Sequence, residues 1–189
     1  MLDTGNLTVL FRDLVRTAMA SQRVASSETT EFYLVQLLEG FVRPDRADLL
    51  DPPLAIEYLE ALQLPASQRF SKLRRVGDTA LFITGIFVDS LERSAVGPTY
   101  YAMLGRNAYA RLSVEPSRGA LAPSFVELAD RFPDFVRVLG EIGDQELFRS
   151  ERDTLRVYKR WLHSQGRREA NVLVRRGLIP FVPPTSRRH

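Results

Sequence analysis

The sequence contains no cysteine, so disulfides, thiolate metal sites and a cysteine nucleophile are excluded. It has two histidines, His163 and the terminal His189, which leaves little imidazole for proton transfer near neutral pH. Neither stands three residues after a glutamate, the spacing a di-iron bundle site requires. The chain also lacks a Gly-Lys-Ser/Thr phosphate loop, a strand-borne GxGxxG, a GxSxG elbow and an HExxH pair, the usual marks of four enzyme classes. No metal and no cofactor are expected. No apolar run approaches the ~20 residues of a membrane span; the longest, Thr79 to Val88, is about half that and ends at Asp89. The start, MLDTGNLTVLFRDL, has no basic segment followed by an apolar stretch, so secretion is not expected and the cytoplasm is the expected location. Glycine and proline together make 22 of 189 residues, too few for a collagen-like or low-complexity chain.

What is present reads as helix. Leu7, Leu10, Phe11, Leu14, Val15 and Ala18 recur at the three- and four-residue steps of one helical face. Ser26-Ser27, followed by the acids Glu28 and Glu31, marks the start of a second helix ending near Arg43-Pro44. A short third helix follows Pro52-Pro53 and runs through Leu64. From Ser67 to Arg93 nearly the whole circumference is apolar, which predicts a central buried helix over about residues 67–93. Gly77 and Gly85 inside it mark places where a neighbouring backbone comes close. Gly97-Pro98 opens the next helix, and Pro133 predicts a kink or a split in the helical pattern from Ser124 onwards. A further stretch starts at Ser150 and ends in a basic helix, Arg167 to Arg176, capped by Gly177. No alternating run predicts a strand. The expected fold is all-α: a compact bundle of seven or eight helices around the central one, with residues 1–177 as a single domain and residues 178–189 as a proline-containing basic tail.

The formal net charge of +3 hides a division. From Arg149 to His189 there are eleven Arg/Lys and three Asp/Glu, a net +8, which leaves −5 for the rest of the chain. Arg167-Arg168 and Arg175-Arg176 lie eight residues apart, about two helical turns, so both pairs face roughly one way. Such a strip suits an acidic protein surface, a phosphate or a nucleic acid, because clustered cations neutralise polyanions. It also suits docking on the protein itself. Phe181, within the apolar Ile179 to Val182 of the tail, adds a contact that would otherwise be exposed.

A pocket is the other possibility. Asp78 lies on the central helix with Arg74 and Arg75 one turn before it, and Tyr101 and His163 are polar groups on flanking helices. Asp78 and Asp89 share a helical face but lie about 16 Å apart along it, too far for a carboxylate pair or a shared metal. For each of these residues the plainer reading is structural: an ion-paired Asp78, a buried ring with one satisfied hydroxyl for Tyr101, a histidine beside a buried face for His163.

The stretches RRVGDTALFITGIFVDSL (Arg74 to Leu91), YYAMLGRNAYARLS (Tyr100 to Ser113) and RGLIP (Arg176 to Pro180) resemble a group of conserved bacterial all-helical proteins of unassigned function. The resemblance implies a helical cytoplasmic protein and carries no site residue. The leading expectation is therefore a non-enzymatic, self-associating interaction protein whose basic C-terminal helix and tail engage an acidic surface of a second copy or another protein. The alternatives are nucleic-acid or phosphate binding by the arginine strip, and a small-ligand-binding or enzymatic bundle built on Asp78, Tyr101 and His163.

Overall fold

The computed structural model describes residues 4–42, 53–88, 91 and 96–143. All of them belong to one of two compact units of the chain, Met1–Gln145, and the second unit, Glu146–His189, lies outside the described residues. So does the expected domain boundary at residue 177. The described residues form seven α-helices: α1 Thr4–Ser21, α2 Glu28–Val42, α3 Leu54–Gln63, α4 Ala66–Ile86, α5 Pro98–Leu112, α6 Ala122–Asp130 and α7 Phe132–Gly143. A short 3₁₀ helix, Pro116–Leu121, joins α5 to α6, and the described residues contain no strand. The all-α bundle expected from the periodicity is what the chain forms. No described helix is long and apolar enough to cross a membrane.

The ends of the helices follow local chemistry. At the start of α2 the Ser27 hydroxyl accepts a hydrogen bond from the Thr30 N–H at 3.2 Å, satisfying one free backbone donor of the first turn. Pro53 and Pro65 stand as the N-cap residues of α3 and α4, and Pro98 opens α5, all positions where a missing N–H costs nothing. The Pro133 signal resolves as a split: Arg131 leaves helical geometry (φ −112°, ψ 26°) and separates α6 from α7.

Helix α4 is the axis of the core. From Thr79 to Ile86 every residue is buried, and α4 packs against α3, α5 and α7. The continuous helix is shorter than the expected 67–93. It ends at Ile86, and Phe87 (φ −119°, ψ 25°) opens the backbone while its N–H still reaches the Ile83 carbonyl. Helical hydrogen bonding resumes at Leu91, whose N–H bonds the Phe87 carbonyl at 3.1 Å. Phe87 and Leu91 remain buried across the break, so the hydrophobic pattern continues where the helix does not. Of the two glycines, Gly85 meets the expectation of close backbone approach: a Cβ there would lie 2.4 Å from Leu139 Cβ and 3.3 Å from the Val136 carbonyl oxygen of α7. At Gly77 the neighbour is a side chain, the Tyr109 ring, with Cε1 2.9 Å from where a Cβ would sit.

Candidate functional site

The ring of Tyr109 on Gly77 leads to a polar knot in this core. Asp78 precedes the buried stretch of α4, and its Oδ1 accepts two hydrogen bonds, from Tyr33 of α2 at 2.5 Å and from Tyr109 of α5 at 2.9 Å. One carboxylate oxygen thus ties three helices together. The other oxygen, Oδ2, lies 3.6 Å from Nε of Arg74, one turn earlier on the same helix. The Arg74 guanidinium in turn sits over the Tyr33 ring, 4.9 Å from its centre, a cation–π contact. Both tyrosine rings pack on Phe125 of α6, Tyr33 edge-on at 5.6 Å and Tyr109 stacked at 6.2 Å.

Electrostatics follow from this enclosure. Burial first, and then the Asp78 charge, push both the Tyr33 and Tyr109 hydroxyls well above the ordinary phenol value of 10.0, so both stay protonated and act as donors. For Arg74 burial works against the charge, but Tyr33, to which its side chain is hydrogen-bonded, and the Asp78 carboxylate raise its pKa. Arg75 points elsewhere. Its Nη2 lies 3.0 Å from Oε1 of Glu57 on α3, a carboxylate 2% exposed whose other oxygen has no hydrogen-bond partner. Burial raises the Glu57 pKa above 4.5, against the pull of Arg75 and Lys72.

Beside this knot, between α2 and α4, lies a pocket of about 270 Å³. Leu37, Phe41 and Phe70 give it apolar walls, and Arg74 and Asp78 stand at its polar end. Of the residues expected at a pocket, Asp78 lines this one. Tyr101 is half-buried on α5 and meets Tyr100 edge-to-face at 5.4 Å; its hydroxyl is raised by burial and by Tyr100. His163 lies outside the described residues, as do Arg167, Arg168, Arg175, Arg176 and Phe181. The sequence pointed to Arg74 and Arg75 together as partners of Asp78, because residues three and four apart share a helical face, and Arg74 is the one that pairs with it. Tyr33, 45 residues away, and the divergence of Arg75 to Glu57 carry no such local signal. Among the described residues no group of three or more His, Asp or Glu side chains is placed to hold a metal.

The described helices are balanced in charge. The described residues hold twelve Asp/Glu and twelve Arg/Lys. Ion pairs join fourteen of them, including the Arg131–Asp134–Arg137 chain at the junction of α6 and α7 and Arg16–Glu31 between α1 and α2. The −5 that the sequence assigns to the chain ahead of Arg149 therefore resides in residues outside the described helices, Asp45, Asp48 and Asp51 among them. No protein-family model matches this chain, and no curated protein and no solved structure matches it.

Proposed function

We propose that this chain is a non-enzymatic helical interaction protein, in which the bundle is a neutral scaffold and the basic segment Arg149 to His189 engages an acidic protein surface. The observation that carries this reading is the placement of charge: twelve against twelve in the described helices, and +8 in the C-terminal segment. A balanced, ion-paired bundle offers a polyanion little net attraction, so long-range electrostatic recruitment falls to the arginines. Arg167, Arg168, Arg175 and Arg176 supply the charge, and Phe181 supplies an apolar anchor of the kind that fixes a docked segment. Self-association is the form of this reading that the chain can complete alone, because its own acidic excess of −5 is the complement of its basic segment.

The test is molar mass by size exclusion with light scattering at low and high salt, with the absorbance ratio at 260 and 280 nm, on the wild type and on a variant with the four arginines replaced by Gln. The expected result is a mass above 21.5 kDa at low salt that falls to that value at high salt, with no excess 260 nm absorbance and a variant that stays monomeric. Nucleic acid that co-purifies and is stripped by salt would replace this reading with polyanion binding by the same arginines. A variant that associates like the wild type would remove the arginines from it.

A further inference from the structure

We propose that the outward face of α5 binds an acidic amphipathic helix of a partner protein, one with apolar residues at alternating three- and four-residue steps and carboxylates on both sides of them. This surface is separate from the C-terminal segment, and its support comes from the described bundle.

The first support is the pattern that the bundle leaves uncovered. On α5, Leu104, Gly105, Ala108, Tyr109 and Leu112 face the core. Opposite them, Tyr100, Met103, Asn107, Ala110 and Val114 follow one another at steps of three, four, three and four, the spacing of a coiled-coil seam. Val114 stands just past the helix end, where Ser113 keeps helical dihedral angles (φ −61°, ψ −22°). Met103 is 54% exposed and Val114 68%, Asn107 and Ala110 are exposed as well, and Tyr100 is half-buried. Apolar side chains at this spacing form a stripe that one further helix would cover. At ~1.5 Å per residue the seam is about 21 Å long, the length of two heptads.

The second support is charge, and it selects the occupant. The described residues hold twelve cations, of which seven are in ion pairs. Of the other five, Arg106, Arg111 and Arg118 stand on α5 or just beyond it, and α5 itself contains no acidic residue. At 3.6 residues per turn Arg106 and Arg111 fall on opposite flanks of the seam. Arg106 Nε donates to the Ala129 carbonyl at 3.2 Å, and Arg118 Nη1 donates to the Glu115 carbonyl at 2.9 Å, near the Val114 end. These acceptors are neutral and leave the charges in place. The described residues balance in number, but this face carries a local cationic excess. An apolar stripe with cations on both flanks is complementary to an apolar stripe with carboxylates on both flanks. A second copy does not fit as well: α5 against α5 would gather six arginines with no acid on either helix.

Asn107 at the middle of the seam narrows the partner further, because a polar seam residue fixes register when a polar residue stands opposite it. Five seam residues are far fewer than the ~20–30 residues a side of a stable interface, so the contact is weak and reversible.

The experiment uses the full chain with Arg167, Arg168, Arg175 and Arg176 replaced by Gln, so that capture by the C-terminal segment is not read as docking on α5. The probe is a fluorescent three-heptad peptide with Leu at the seam positions, one central Asn, and Glu on both flanks. A second peptide has Lys in place of Glu, and a third has Ser in place of Leu. The Leu/Glu peptide should give a saturable anisotropy change, with an affinity about tenfold above that of either other peptide. Met103→Glu and Val114→Glu, both at exposed positions, should each lower that affinity about tenfold. Arg106→Gln combined with Arg111→Gln should bring the Leu/Glu peptide down to the level of the Leu/Lys peptide. Leu59→Glu, at an exposed apolar position of α3, should change nothing. Equal affinity for the Glu and Lys peptides, binding that survives both Met103→Glu and Val114→Glu, or the absence of saturable binding would each overturn the proposal. So would a dimer of the peptide-free chain that Met103→Glu dissociates, which would give this face to a second copy.

Discussion

Two glycines face each other across the contact between α4 and α7, and the packing assigns them opposite responses to the same substitution. Alanine is favoured over glycine inside a helix by roughly 1 kcal/mol, so Gly140→Ala, whose new Cβ would lie 3.6 Å from the Gly85 carbonyl oxygen in ordinary contact, should stabilise the chain by about 0.5–1 kcal/mol. Gly85→Ala receives the same propensity gain. Its Cβ, however, would lie 2.4 Å from Leu139 Cβ, more than 1 Å inside the ~3.5–4.0 Å at which carbon atoms attract. The neighbour is the root of a side chain and cannot swing aside; the Val136 carbonyl, 3.3 Å away, blocks a shift along α7. Overpacking of this kind costs roughly 1–3 kcal/mol and exceeds the propensity gain, so Gly85→Ala should be less stable than the wild type by about 1–2 kcal/mol. Urea unfolding followed by far-ultraviolet circular dichroism measures both. A Gly85→Ala variant as stable as Gly140→Ala would refute the close approach of α4 and α7 and with it the central place of α4.

Other consequences follow from single residues. Because the folded-state pKa values of Tyr33 and Tyr109 lie well above 10.0, the folded state holds protons that the unfolded state releases; stability is full below pH 10 and falls as pH rises beyond it, by about 1.4 kcal/mol per pH unit for each tyrosine. Urea midpoints between pH 9 and 11 should show this fall, and Tyr33→Phe should remove about one proton's share of the slope while costing about 1.5–3 kcal/mol at pH 7 for the lost bond to Asp78. Glu57 has a raised folded pKa, so its ionisation weakens the fold as pH rises through and above 4.5; the stability of Glu57→Gln relative to wild type should be more favourable at pH 7 than at pH 4, and a reversed order would contradict the burial argument. Arg23 adopts φ 54° just after α1, where Val24 N–H reaches back to the Met19 carbonyl, a helix-ending geometry that favours glycine. Arg23→Gly should therefore raise the melting temperature, by an amount corresponding to about 0.5–1 kcal/mol.

The helices were legible because a buried face repeats every three to four residues, and that repeat is a direct record of which side chains leave water. The same repeat misplaced the end of α4. Phe87 and Leu91 are buried on either side of a backbone break, and burial, unlike helical geometry, does not require continuity. The site was legible in part for a related reason. Arg74 is a sequence neighbour of Asp78 on one helical face, whereas Tyr33 and Tyr109 reach it from two other helices, brought in by tertiary packing alone. Arg75 was equally close to Asp78 along the chain, yet it projects toward α3, where a buried Glu57 needs a counter-charge. Sequence spacing ranks local partners and is silent about distant ones.

In the function proposed above, the basic C-terminal segment, and not the neutral bundle, recruits an acidic partner. The measurement that tests it most directly is the affinity of the full chain for fluorescent polyglutamate at low and high salt, for the wild type and for the variant with Arg167, Arg168, Arg175 and Arg176 replaced by Gln. The expected result is binding that weakens steeply with salt and is largely lost in the variant. Equal binding by the two proteins, or no binding by either at low salt, would contradict it.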